Sequence, residues 1–268
     1  MTRLWIPLFI LFIWSSVAIV GPALPISPNH IDLTQILTPP STTVWLGHDD
    51  IGRSISDRLI IGARTSFVVA LSVVLIASIF GSCIGIVGAY WGGWMDHFLI
   101  RIIDIFLAFP GILLAIALAG VMGPSIKNVV FALACVGWVG YARLARAQVL
   151  ALKDADHVMA ARALGASSGR IMFRHLLPLL SAPLIIELSF GVASIVVAEA
   201  GLSFLGLGVQ PPDASWGSMI RDGTRYMLVA PHVVMAPGFA LMIVVFAINV
   251  LGDWMRDWLD VKSLFRKK

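Results

Sequence analysis

Six windows of this chain are each long and apolar enough to cross a lipid bilayer, and nothing else in the sequence restricts its fold as strongly. They run from Leu4 to about Val20, Ser66 to Tyr90, Phe98 to Met122, Lys127 to Ala145, Leu176 to Ser203 and Pro231 to Gly252. A hydrocarbon core about 30 Å thick takes roughly 20 apolar helical residues to span. The expected class is therefore an all-α polytopic membrane protein with about six transmembrane helices. Composition agrees, with 59% of residues hydrophobic and 13% charged, where ordinary soluble domains carry about 25% charged residues.

Charge distribution orients the spans. With the N-terminus in the cytoplasm, the segments on that side hold thirteen Lys and Arg and the outer segments hold six. The positive-inside rule then places both termini in the cytoplasm. Residues 1–21 read as an anchor helix; Arg3, the apolar stretch and the small residues near Ala18 to Ala23 also fit a cleaved signal peptide, but the spans that follow favour retention. A polar outer segment covers 22–64. The membrane core covers 65–255, with a cytoplasmic loop at about 148–178 and an outer segment at about 202–230, and residues 256–268 form a basic tail. The net charge of +4 sets topology and meets membrane lipid; it does not point to nucleic acid.

Within the spans, Gly81, Gly85 and Gly88, Gly137 and Gly140, and Ala115, Ala117 and Ala119 mark faces where helix backbones approach closely. Pro110 and Pro183 each remove a helix hydrogen bond and are expected to kink their spans. Cys83 and Cys135 lie far apart with no CxxC pair, which reads as packed thiols and no metal site.

The cytoplasmic loop "KDADHVMAARALGASSGRIMFRHLLP" (153–178) carries ordinary helix punctuation. Asp154 and Asp156 open a short helix, Gly165 ends it, and Ser167 or Ser168 caps a second helix that runs through Ile171, Met172 and Phe173 to the next span at Pro178. Ala160, Ala161, Ala163, Gly165 and Ala166 keep the first helix slim. Two roles fit such a helix: a connector resting on its own protein or on lipid headgroups through Arg162, Arg170 and Arg174, or a docking helix inserted in a partner's groove.

The frame Ala160-Ala161, Gly165, Ile171 and Leu177-Pro178 resembles the EAA loop of binding-protein-dependent ABC importer permeases, with Met159 where that motif usually has Glu. Further blocks are similar to the dipeptide, oligopeptide and nickel branch of that family. They are "WLGHDDIGRSISDRLIIGARTS" (45–66), "RIIDIFLAFPGILLAIAL" (101–118), "GYARLARAQVLAL" (140–152), "LSFLGLGVQPPDASWG" (202–217) and "NVLGDWMRDWLD" (249–260). His48 and Ser54 stand where the first block usually has Thr and Asp. The resemblance implies a type I ABC importer transmembrane domain in a bacterial inner membrane, forming half of a pathway for di- or oligopeptides, or for nickel or a metal chelate. It implies four kinds of contact: a homologous second permease, two ATP-binding subunits, a periplasmic or lipoprotein solute-binding protein, and lipid. On that basis Met159, Ala160, Ala161, Leu164, Gly165, Ile171, Leu177 and Pro178 couple to the ATPase, with Ala161 and Leu164 on the docking face. Gln210, Pro211, Pro212 and Trp216 are implied to fold over the cavity mouth or meet the binding protein.

The chain itself offers no nucleotide site. Every lysine follows Ile, Leu, Val, Arg or Lys, so no GK[ST] phosphate loop exists, and ATP and Mg are expected on partner subunits. HExxH does not occur, and Asp104, Glu187 and Glu199 have no obvious catalytic partner in the sequence, which leaves an intramembrane enzyme without an obvious catalytic set and assigns no catalytic residue. A channel or secondary transporter would be expected to show internal repeats, and none is evident. Asp104, three residues after Arg101, is expected to form a local ion pair, and Glu199, near the outer end of its span, an interfacial contact. Glu187 lies well inside a span, where an acid either faces a cavity or finds a partner; it is placed with Pro110 as a pathway or gate residue.

Overall fold

The computed structural model describes residues 4–42 and 44–259. Ten α-helices make up nearly all the regular structure of these residues: α1 (Trp5–Val20), α2 (Ile55–Trp91), α3 (Gly93–Leu107), α4 (Gly111–Met122), α5 (Ile126–Leu152), α6 (Asp156–Ala163), α7 (Ser168–Ile171), α8 (Leu177–Phe204), α9 (Trp216–Thr224) and α10 (His232–Leu259). Among the described residues five runs are long and apolar enough to cross a membrane, and α3 with α4 makes a sixth if the bent pair is counted as one span. The expected residues of the basic tail beyond Leu259, and Arg3, lie outside the described residues.

The third expected span is not one helix. Its halves meet at 83°, because Pro110 (φ −58°, ψ 120°) leaves helical geometry and starts α4 afresh, its carbonyl accepting from the Leu113 and Leu114 amides. Pro183 behaves otherwise: α8 runs on through it, as α10 runs through Pro237. The second span is longer than its apolar window. Helix α2 has 37 residues and starts at Ile55, so the last part of the segment expected to be polar and outer is its first turns. Hydropathy hides them because they carry Asp57, Arg58 and Arg64, yet Arg58 is only 3% exposed. Ser54 caps this helix by accepting from the Asp57 amide, a role that Asp fills equally well, so this departure from the family block preserves the cap.

Close backbone contact between α2 and α5 organises the centre. A Cβ at Gly81 would collide with the Trp138 carbonyl, one at Gly85 with the Ala142 carbonyl, and one at Gly88 with Leu99 of α3. Small residues in lipid work in this way, since dispersion between closely set helices replaces the hydrophobic drive. Ala115 and Ala119, four residues apart, are buried on one face of α4, whereas Ala117 is exposed; a period of 3.6 cannot put all three on one face. Cys83 is exposed, not packed as expected, and Cys135 is half-buried.

Helix α1 is fastened across α2. Trp14 Nε1 donates to the Ala63 carbonyl (3.2 Å) and its ring meets Phe67 edge-on at 5.1 Å. The Arg101–Asp104 pair expected from spacing does not form; both side chains are exposed. Instead Asp96 of α3 accepts from Arg146 of α5 at 2.6 and 2.8 Å, a bidentate pair that ties two helices at the end of the bundle bearing α6. At the opposite end lie residues 21–42 and 44–54 and the segment around α9.

Candidate functional site

The segment 153–176 folds as a cap over one end of the bundle. Helix α6 starts at Asp156 with Ala155 as N-cap, so only one of the two expected acids enters its first turn. It stops in a left-handed turn at Gly165 (φ +82°). The Gly165 amide bonds the Arg162 carbonyl and the Ala166 amide the Ala161 carbonyl, both at 3.0 Å, which is the Schellman arrangement that favours glycine at this position. Ser167 then caps α7 by accepting from the Arg170 amide. A π turn over Met172–Leu176 feeds directly into α8, with Pro178 in its first turn, where a missing N–H costs little.

Two faces of α6 divide the residues expected to couple. Val158 is buried in an apolar cluster with Ile86 and Ala89 of α2, Ala145 and Val149 of α5, and Ile171, Met172, Leu176 and Leu180, and Ala161, three residues on, is the other buried residue of α6. Ala161 therefore belongs to the anchoring face, a correction to its expected place on the docking face; its small side chain lets α6 sit close on the bundle. Ile171 is likewise 1% exposed and Leu177 packs beside it. Outward lie Met159, Ala160, Leu164, Gly165 and Pro178, with Leu164 89% exposed. The Arg162 guanidinium stands over the Tyr90 ring at 5.9 Å, and Lys153 Nζ reaches the Ala89 carbonyl, so two cations fix this cap to the end of α2.

One face of α8 lines two adjoining cavities. The first, about 190 Å³, lies among α2, α5 and α8 and is lined by Ala77, Gly137, Tyr141, Glu187, Gly191 and Ser194 among others. The second, about 570 Å³, is bounded by Ile112, Ser194, Ala198, Gly201, Val245 and Asn249 among others, and Ser194 belongs to both. Residues 187, 194 and 201 recur every second turn, which puts them on one stripe. Glu187 faces the smaller cavity and makes no hydrogen bond or ion pair to the described residues, the cavity-facing alternative for this acid. Pro110 lines neither cavity, although α4, which it starts, borders the larger one. Glu199 departs from expectation: it is 1% exposed, accepts from Ser66 (2.9 Å) and Ser203 (2.7 Å), and joins α2 to α8 inside the core.

At the opposite end, residues 45–58 wrap around buried charges. Asp49 accepts from the Ile51 and Arg53 amides and from Arg53 Nε at 2.7 Å, with Arg58 Nε 3.6 Å away. Burial, then the Asp49 carboxylate, pushes Asp50 above the usual carboxylate range. His48, the second departure in this block, bridges to Ser54 and shares a 2.7 Å hydrogen bond with Thr38. Residues 205–217 form a turn held by Gln210, whose side-chain amide donates to the Gly206, Gly208 and Val209 carbonyls. Gln210, Pro211 and Pro212 are exposed, and Pro212 accepts from Arg58. Trp216 is the exception among the residues expected to face a partner: it is 3% exposed and donates to the Leu59 carbonyl, so it locks α9 onto α2.

Sequence reasoning missed Tyr141, Ser194 and Asn249 as cavity residues. Tyr141 sits inside the quoted block 140–152, and the signal was a phenol beside Gly137 and Gly140 in an apolar span, where a polar tip needs a destination.

The family model described as "Binding-protein-dependent transport system inner membrane component" matches residues 77–263. Among curated relatives, the dipeptide transport system permease protein DppC of Alkalihalophilus pseudofirmus is 44% identical over 223 residues, 83% of this chain and 73% of that protein. The glutathione transport system permease protein GsiD of Pectobacterium atrosepticum is 40% identical over 234 residues, 87% of this chain and 78% of that one. Among solved structures, the MetNI methionine ABC transporter in an inward-facing conformation aligns at TM-score 0.60 and 18% identity, covering 75% of this chain and 95% of the matched chain. At that identity the likeness speaks to fold.

Proposed function

We propose a role that starts from what this chain is: it belongs to the family of binding-protein-dependent transport system inner membrane components, the permease subunits of ABC importers. It is a multi-pass membrane protein of transport, not an enzyme. Beyond that, we infer that it forms half of a translocation pathway with a homologous second permease, two ATP-binding subunits that hold ATP and Mg, and a solute-binding protein. Both termini and α6 face the cytoplasm, and residues 21–54 and 205–231 face the periplasm, as the Lys and Arg distribution favours. The cargo is a peptide, the chemistry shared by the dipeptide and glutathione named for the relatives.

One observation carries the coupling role. Helix α6 is anchored to α2, α5 and α8 through Val158, with Ala161 buried on the same side, while Met159, Ala160 and Leu164 are left uncovered. A load applied to that outer face is passed to the spans because close-packed elements move as bodies and do not deform continuously. ATP-driven closure of the ATPases would move α6 and tilt the spans, opening the α8 cavities to cargo delivered from outside. The test is co-purification of this chain with a tagged ATPase subunit, followed by ATPase and peptide uptake assays in liposomes with the binding protein. Uptake by this chain without an ATPase would refute the reading.

A further inference from the structure

The smaller cavity beside α8 holds polar groups that the fold does not use. Tyr141 is 5% exposed and its hydroxyl is buried with no hydrogen-bond partner. It points at Gly191, where any side chain would run into it. Glu187 shares the cavity, with Oε1 in ordinary contact distance (3.5 Å) of a Cβ built at Gly140. Ser194 lines the same space, and its hydroxyl makes no hydrogen bond to the described residues. No Lys, Arg or His lines the cavity; the remaining walls are Val73, Val74, Ala77, Phe190, Ile195 and glycines. An acid at membrane depth without a cation is costly, and an unpartnered buried hydroxyl adds to that cost.

We propose that Glu187 and Tyr141 form a recognition site for a primary ammonium group carried by the cargo. The inference rests on the permease role given above and deepens it, placing part of the selectivity in the membrane subunit. An ammonium has three donors and no acceptor, and this cavity presents a carboxylate, a phenolic oxygen and a serine oxygen. Its volume of about 190 Å³ equals the share of about six water molecules, enough for one end of a peptide. The rest of the solute has room in the adjoining cavity through Ser194. Tyr141 and Gly191 fit together only because position 191 has no side chain, so the hydroxyl stays at the cavity wall and reaches into the space.

The test uses the complete complex in nanodiscs, with Cys83→Ser and Cys135→Ala, and a reporter thiol from Val197→Cys in the larger cavity. Modification by a water-soluble maleimide is timed with alanylalanine, N-acetyl-alanylalanine or N-acetyl-lysine amide present. Alanylalanine should slow labelling and the acetylated dipeptide should not; slowing by N-acetyl-lysine amide as well would show that a side-chain ammonium serves as well as an N-terminal one. Glu187→Gln should weaken the protection about tenfold, as losing a hydrogen bond to a charged group implies, and Glu187→Asp should retain part of it. Tyr141→Phe provides a second variant should Glu187→Gln fail to assemble with the partner subunits. Equal protection by free and acetylated dipeptide, or protection untouched in both variants, overturns the proposal. Labelling needs no transport, so a complex that imports peptide without this discrimination defeats the ammonium site alone, and one that imports nothing defeats the permease reading.

Discussion

Ser66 of α2 donates a 2.9 Å hydrogen bond to Glu199 of α8 across 133 residues of sequence, and Ser203, one turn on, donates to the other oxygen of the same carboxyl at 2.7 Å. The Val209 amide in turn donates to Ser203 Oγ, so one buried acid organises α2, α8 and the chain leaving α8. Glu199→Leu would leave two hydroxyls unsatisfied, at a cost of about 1–3 kcal/mol each, while Glu199→Gln keeps a carbonyl acceptor. The Leu variant should lose several degrees of thermal stability in detergent and reach the membrane in lower amount; the Gln variant should lie close to the parent. Equal melting of both would show that the carboxyl group does not hold this junction.

Asp96 and Arg146 lead to a second prediction. The pair is bidentate and partly buried, with side-chain exposures of 13% and 25%, so it should exceed the fraction of a kcal/mol common for exposed pairs. Hydrogen bonding from Arg146 is the only tie of this kind between α3 and α5 among the described residues. Asp96→Asn and Arg146→Gln should each destabilise by about 1–2 kcal/mol, with a coupling energy near 1 kcal/mol in the double-mutant cycle. Additive single effects, read from urea or thermal unfolding in micelles, would assign the loss to something other than the pair.

Much of this architecture is legible in the residues. Apolar length locates the spans, Gly81 and Gly85 announce the α2–α5 contact, and Gly165 with Ser167 punctuates the cap. What stays hidden is where a polar residue sits on a helix whose packing is not yet known. Arg58 and Glu199 look exposed or interfacial in a linear string and are buried because residues 45–54 and 205–217 fold back over the ends of α2 and α8. Ala161 and Leu164 lie three residues apart and look equivalent; only the seating of α6 on Val149 and Ile171 turns one inward and the other out. The Arg101–Asp104 spacing permits a pair, but the rotamers needed lose to solvation at an exposed surface.

Gly85 gives a third prediction. A Cβ there would come against the Ala142 backbone on α5, not against a side chain able to turn aside. Gly85→Val should therefore push two central helices apart, costing about 3 kcal/mol or more from overpacking and lost contacts. Gly120, whose added Cβ meets nothing within 4 Å, is the control: Gly120→Ala should be neutral or slightly stabilising. Membrane abundance and melting temperature of the two variants measure the contrast.

The left-handed turn at Gly165 yields a fourth. Space is open around it, so a substitution is penalised by backbone conformation alone, by about 1 kcal/mol for Ala and less for Asn. Insertion and fold should survive Gly165→Ala, but the turn between α6 and α7 would shift. Reduced peptide uptake per ATP hydrolysed, with Asn closer to the parent than Ala, is the expected result; unchanged uptake per ATP in both, or in a Gly165→Trp complex, would remove Gly165 from coupling.

The two faces of α6 separate folding from docking in a single pair of variants. Val158→Ala empties a fully buried position in the cluster around Val149 and Leu176 and should cost about 1–3 kcal/mol through lost burial and a small cavity. Leu164 is almost wholly exposed, so Leu164→Asp should leave the stability of the isolated chain within about 0.5 kcal/mol of the parent, as surface changes do. Its effect should appear in the complex, because a charge set into an apolar contact without a partner is expensive. Recovery on a tagged ATPase subunit should fall sharply for Leu164→Asp and track stability for Val158→Ala. If Leu164→Asp binds the ATPase as the parent does, the uncovered face of α6 is not where the two proteins meet, and force must enter the spans elsewhere.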